Sequence, residues 1–185
     1  MAYDMRNFVD DLRKAGELVE VDREADWNFE IPAFEVMSAR IGGPAFLFNN
    51  IKGCPETRLL VGGFAGTFLK PHKRVAIALG MDPNVDRFTW FAQMLPKMMS
   101  MLRPVEVATG PCKEIVKMGK DVNILAFPLT YHSLGDGGRA MLQNCTLVKD
   151  PDSDWINSGN YGIEIFSRNR LVITPYAHTN LNFIY

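Results

Sequence analysis

Asp150-Pro-Asp-Ser-Asp-Trp-Ile-Asn-Ser-Gly-Asn-Tyr-Gly-Ile-Glu-Ile-Phe166, then Ser167-Arg-Asn-Arg170, then Leu171-Val-Ile-Thr-Pro-Tyr-Ala-His178 reads as a turn followed by two strands. The two apolar runs are rich in β-branched and aromatic residues with polar residues between them, which is the signature of a hairpin. With Arg168 and Asn169 at its tip, Asn157 faces Asn180 across the ladder, and His178 is the diagonal neighbour of Asn157 on the same face. An amide oxygen and an imidazole nitrogen are then within reach of one ion. Such a pair suits a divalent metal of the Mn or Mg kind if carboxylate or phosphate oxygens complete the shell. The same spacing also fits a plain hairpin with an asparagine at its base and a solvent-facing histidine.

Working back towards the N-terminus, strands are expected at Asn123 to Leu129, Arg139 to Val148, Tyr161 to Phe166 and Leu171 to Tyr176, joined by Gly135-Asp136-Gly137-Gly138 and other turn sequences. This succession predicts an antiparallel meander or the first part of a barrel. Pro104 to Val122 reads as a connection, with one helical turn at Lys113 to Lys117. Earlier still, helical and strand patterns alternate. Asp4 caps a helix from about Met5 to Lys14, Glu17 to Val21 alternates like a strand, and Pro32 to Arg40 is helical up to the Gly42-Gly43-Pro44 break. Ala45 to Phe48 and Leu59 to Val61 are expected as buried strands, and His72 to Leu79 as a helix. Asp86 to Leu102 predicts a helix kinked at Pro96, rich in methionine and aromatic residues that suit a core or subunit contact. The expected class is therefore α+β: an N-terminal α/β domain over residues 1–118, then residues 119–185 as strands of a barrel that this chain does not complete.

Several functions find no support. Lysine plus arginine (20) balance aspartate plus glutamate (21), so no basic face points to nucleic acid. No stretch approaches the roughly 20 apolar residues of a membrane span and the N-terminus has no apolar signal core, so a cytoplasmic protein is expected. The three cysteines, Cys54, Cys112 and Cys145, are too widely spaced for a zinc knuckle or a disulfide framework. Cys112 beside Lys113 reads as a packing cysteine. Asp150, Asp152 and Asp154 imitate a calcium loop, but Trp155 stands where its glycine is needed and Tyr161 where its closing glutamate is needed. Asn157-Ser158-Gly159 is not a nucleophile elbow. Gly62-Gly63-Phe64-Ala65-Gly66 lacks the spacing of either nucleotide fingerprint.

Phe8-Val9-Asp10-Asp11-Leu12 with Gly16-Glu17-Leu18-Val19, Gly43-Pro44-Ala45-Phe46-Leu47-Phe48 with Ile51-Lys52-Gly53, Ala78-Leu79-Gly80, Pro111-Cys112-Lys113-Glu114-Ile115-Val116, Asp136-Gly137-Gly138 and Thr146-Leu147-Val148-Lys149-Asp150-Pro151 occur in an order that resembles the UbiD family. Members of that family are reversible (de)carboxylases of aromatic or α,β-unsaturated acids that use prenylated FMN. The resemblance covers essentially the whole chain but only the N-terminal part of the family's usual length. It implies a flavin-reductase-like split β-barrel. It also makes Asn157 and His178 ligands of a divalent ion, Mn(II) or Mg(II), that bridges protein and flavin phosphate, with K+ as a further ion. The cofactor would be lined by Asn157, Ser158, Gly159, Asn160, Tyr161, Gly162, Ala177 and His178.

Two departures qualify the resemblance. The family's catalytic arginine falls at Gly162, and its third metal ligand and catalytic glutamates fall beyond Tyr185. No catalytic residue is therefore assigned within the chain. Leu181-Asn182-Phe183-Ile184-Tyr185, read as a barrel strand, leaves an edge to be covered by the remainder of the enzyme or by a partner subunit in a homo- or hetero-oligomer. The isolated chain is expected to be inactive. The alternatives are a non-catalytic structural or regulatory subunit and, less supported because it needs no metal pair, a simple flavin reductase.

Overall fold

In the computed structural model the described residues are 3–64, 71–100, 105–141 and 144–185. Helix α1 (Met5–Lys14) begins at Asp4, whose carboxylate accepts hydrogen bonds from the backbone N–H groups of Arg6 and Asn7, while the Asn7 side chain accepts from the Asp4 N–H. This reciprocal box satisfies donors that the first turn leaves without partners. The apolar stripe of α1, Phe8, Val9 and Leu12, is buried.

Strand β1 (Leu18–Val21) runs parallel to β2 (Ala45–Phe48), and α2 (Glu30–Ile41) lies between them in the chain. Strand β3 (Leu59–Val61) returns antiparallel to β2. Gly42 ends α2 at φ 74°, a left-handed conformation that glycine adopts without steric cost. Phe48, Ile31, Ala25, Ile51, Cys54 and Val61 form one core cluster, and Phe8, Leu12 and Ala45 a second on the other face of the small sheet.

Arg74 on α3 (Lys73–Ala78) is buried, donates to the carbonyls of Gly43 and Gly62, and pairs with Glu17. One guanidinium thus ties the entry to β2, the exit of β3 and the entry to β1. Helix α4 (Arg87–Met99) is capped by Asp86, contains Pro96, and buries none of its residues. Ala65 and Gly66, part of the glycine-rich turn, lie outside the described residues.

Beyond residue 105 the chain forms two small antiparallel sheets. In one, β4 (Arg139–Met141), β7 (Ile163–Ser167) and β8 (Arg170–Ile173) lie in the order β4-β7-β8. The other pairs β5 (Thr146–Lys149) with β6 (Ile156–Gly159). The expected hairpin tip is present, Ser167 pairing with Arg170, and a register shift between Ile165 and Ser167 marks an irregularity there. The turn after β5 is also as expected: Asp150 accepts from the Asp152 N–H and the Ser153 hydroxyl on an exposed surface.

Other expectations are corrected. Asn123 to Leu129 holds a 3-10 turn at Ile124–Ala126, anchored where the Ile124 N–H donates to the Arg168 carbonyl. The connection turns at Pro111–Lys113 rather than at Lys113 to Lys117. Arg139 to Val148 is two strands belonging to different sheets. Leu181 to Ile184 form no barrel strand but most of α5 (Asn180–Ile184), which Thr179 caps by accepting from the Asn182 N–H and which ends at Tyr185.

The two halves of the chain touch. Phe29 N–H donates to the Tyr131 carbonyl, Tyr131 N–H donates to the Trp27 carbonyl, and the Arg139 guanidinium lies 3.5 Å from the centroid of the Trp27 ring. A cation this close to an indole face is held by the ring quadrupole as well as by packing.

Candidate metal and flavin site

Asn157 sits on β6 opposite Val148 and is 7% exposed. The pairing with Asn180 expected from hairpin register does not occur, because β6 pairs with β5 and Asn180 opens a helix. The two residues nevertheless meet through their side chains: Asn180 Nδ2 donates to Asn157 Oδ1 at 3.0 Å. Asn157 Nδ2 donates to the Tyr161 hydroxyl oxygen at 2.8 Å, and that oxygen also accepts from the Leu181 N–H at 3.2 Å. Strand β6 and helix α5 are thereby joined at a buried hydroxyl.

Tyr161 is held at both ends. Its carbonyl accepts from Asn144 Nδ2 at 2.6 Å, and its N–H donates to Asn144 Oδ1 at 3.4 Å. Its ring closes over Gly159, where an added Cβ would fall 2.6 Å from Tyr161 Cε2 and 2.9 Å from Cζ. The glycine is required there by close approach of an aromatic face rather than by backbone angle. Ser158 is exposed, its hydroxyl 3.3 Å from Cys145 Sγ.

His178 follows β8 in a turn closed by two bonds: the Tyr176 carbonyl accepts from the Thr179 N–H at 3.2 Å and from the Thr179 hydroxyl at 2.7 Å. His178 adopts φ 68° and is exposed. The third position of such a turn normally goes to glycine, so a histidine there sits in a conformation that costs about 1–2 kcal/mol. Backbone strain of this kind clusters at functional sites. Gly162, by contrast, lies outside the left-handed region, and a Cβ on it would meet only the Tyr176 ring, with the hydroxyl nearest at 3.2 Å.

As metal donors these residues fit part of a shell. A carbonyl oxygen has two lone pairs, and Asn157 Oδ1 uses one for Asn180. With Nδ2 donating to Tyr161 and Oδ1 accepting from Asn180, the second lone pair of Oδ1 is what the amide can offer a cation. No group of three His, Cys, Asp or Glu side chains suited to a metal ion occurs among the described residues. Asn144 and the Tyr161 hydroxyl are the parts of the site that sequence reasoning missed, and Asn180, expected beside Asn157 as a strand partner, meets it through its side chain instead. Nothing in the pattern marks their side chains, although the Thr179-Asn180-Leu181-Asn182 cap signal could have placed α5.

Comparison with known proteins supplies the class and then the family. A model of the N-terminal domain of 3-octaprenyl-4-hydroxybenzoate carboxy-lyase, UbiD, matches residues 9–90, and a model of that protein's Rift-related domain matches residues 103–184. Both matching models are described as domains of one carboxy-lyase family. The chain belongs to the UbiD family. Pyrrole-2-carboxylic acid decarboxylase of Pseudomonas aeruginosa is 31% identical over 175 residues, which are 92% of this chain and 35% of the relative. The closed form of vanillic acid decarboxylase from Sedimentibacter hydroxybenzoicus aligns with a TM-score of 0.87 at 26% identity, covering 100% of this chain and 40% of that one. The UbiD-class enzyme HmfF from Pelotomaculum thermopropionicum, in complex with prFMN, shares the fold with a TM-score of 0.77 at 21% identity, over 95% of this chain and 39% of its own. The chain therefore spans about a third of the length of the curated relative it matches.

Proposed function

We propose that the chain is the N-terminal, flavin-bearing part of a UbiD-type enzyme that reversibly (de)carboxylates an aromatic or α,β-unsaturated acid in the cytoplasm. The observation that carries this reading is the buried Asn157 amide, held by Tyr161 and Asn180, whose oxygen keeps one lone pair beyond the Asn180 hydrogen bond for a cation. In this proposal Asn157 and His178 hold Mn(II) or Mg(II), and the exposed surfaces of Ser158, Asn160 and Ala177, with Gly159, Tyr161 and Gly162, line the prenylated FMN. A carboxylate from the remainder of the enzyme or a partner subunit, together with the flavin phosphate, must balance the ion's charge, since both protein ligands are neutral. The prenylated flavin, when bound, supplies the electron sink that lets carbon dioxide leave. This chain's residues orient and bind; the group that moves the proton comes from outside it. In this proposal the N-terminal α/β domain spans residues 1–118 and the flavin-binding part residues 119–185.

A second reading is favoured by Gly162. A position without a side chain offers no charge to a substrate carboxylate, as a subunit that keeps the fold without the chemistry would. Decarboxylation assays separate the two. The isolated chain with reconstituted cofactor should release no carbon dioxide from an aromatic acid, whereas the assembled enzyme should. An assembly that carries flavin and metal yet turns over no acid would favour the second reading, and turnover by the isolated chain would place the catalytic group within it.

A further inference from the structure

The geometry points to Tyr161 as a positioning residue that sets the distance between the two metal ligands, an inference that rests on the metal reading given above. Asn157 belongs to β6 and His178 to the turn before α5, two elements that no strand ladder connects. What connects them is a short set of polar contacts. The Tyr161 hydroxyl oxygen accepts from Asn157 Nδ2 and from the N–H of Leu181, while Asn180 Nδ2 reaches Asn157 Oδ1. Leu181 lies three residues after His178, and Thr179 between them both caps α5 and closes the turn that bears the histidine.

Tyr161 does two things that a phenylalanine cannot. Its oxygen accepts a hydrogen bond from Asn157 Nδ2, which together with the Asn180 contact on Oδ1 holds the amide with its oxygen towards α5. It also holds the first turn of α5 against β6, fixing how far the imidazole stands from the amide. The residue is 6% exposed and clamped through its own backbone by Asn144, so the hydroxyl is a fixed point. Partners that orient metal ligands are commonly worth 10-fold to 100-fold in affinity.

The test is a titration of the metal-stripped assembled enzyme with Mn(II), free ion being followed by its electron paramagnetic resonance signal, alongside thermal melts. Tyr161→Phe and Asn180→Ala should each weaken Mn(II) binding about tenfold. Leu12→Ala, a truncation in the core of the first helix and remote from the site, should lower the melt yet leave Mn(II) affinity within about twofold of wild type, which separates positioning from stability. If Tyr161→Phe binds Mn(II) as tightly as wild type while Asn157→Ala and His178→Ala lose it, the positioning role is overturned and the metal site stands. Should Asn157→Ala and His178→Ala also bind as wild type does, the metal site and the positioning role fall together.

Discussion

His178 is a histidine held where glycine would be at ease, at φ 68°. Replacing it with glycine relieves the left-handed penalty but adds chain entropy to the unfolded state, so His178→Gly should leave stability unchanged or raise it by up to about 1 kcal/mol. Metal and flavin should be lost from the same protein. Melts and metal content, measured together, check this opposition of stability and binding. Gly162 is the reverse case. Its backbone is ordinary and only the end of the exposed Tyr176 ring meets an added Cβ, so Gly162→Arg should fold with a melting temperature within about 3 °C of wild type. Gly159→Ala should cost about 2 kcal/mol in denaturant unfolding, because the Tyr161 ring in its way is pinned at the hydroxyl and at the backbone. At this scale the sequence reached the nearness of Asn157 and Asn180 but by a different route. Their contact is between side chains across a strand and a helix, which no register rule contains.

Among the elements, those of the N-terminal half were the most legible. Helix α1 and strands β2 and β3 fall where capping, short apolar runs and Gly-Pro punctuation put them, because local signals and burial agree there. The C-terminal half was less so for two physical reasons. Leu181-Asn182-Phe183-Ile184-Tyr185 is a five-residue, mostly apolar run, too short for a helical period to declare itself, and the cap at Thr179 decides the matter instead. Arg139 to Val148 divides because Asn144, between β4 and β5, turns its amide to the Tyr161 backbone. Arg74 is a further feature that pattern alone hides. Arg74→Met removes donors from the Gly43 and Gly62 carbonyls and a partner from Glu17, and should destabilise by about 3 kcal/mol in denaturant titration. Helix α4 carries Phe88, Phe91, Leu95 and Met98 in the open, spaced to form one apolar stripe. Phe91→Lys should reduce self-association of the chain in sedimentation experiments without lowering its melt.

For the molecule as a whole, acid sensitivity should arise near β1 and the start of α2. Hydrogen bonds hold three carboxyls there below their usual range: Lys52 and the Asn28 N–H on Asp26, the Asp26 N–H and Arg23 on Glu30, and Asn49 and Arg13 on Glu20. A carboxyl whose folded pKa is depressed contributes stability above its unfolded value, here 3.8 for Asp and 4.5 for Glu, and loses it as pH falls through the folded value. The melt should therefore be flat above about pH 5 and fall below it, and Glu30→Gln should make that fall shallower. The two halves should respond together, since the Trp27, Phe29, Tyr131 and Arg139 contacts join them.

Metal and flavin content of the assembled enzyme carrying His178→Ala, compared with wild type and with His132→Ala, tests the central proposal most directly. His132 lies in a loop beside Thr130, outside the site. His178→Ala should lose metal and flavin together while His132→Ala keeps both. Full occupancy of both in His178→Ala would contradict the site and leave the likeness to the family one of fold alone.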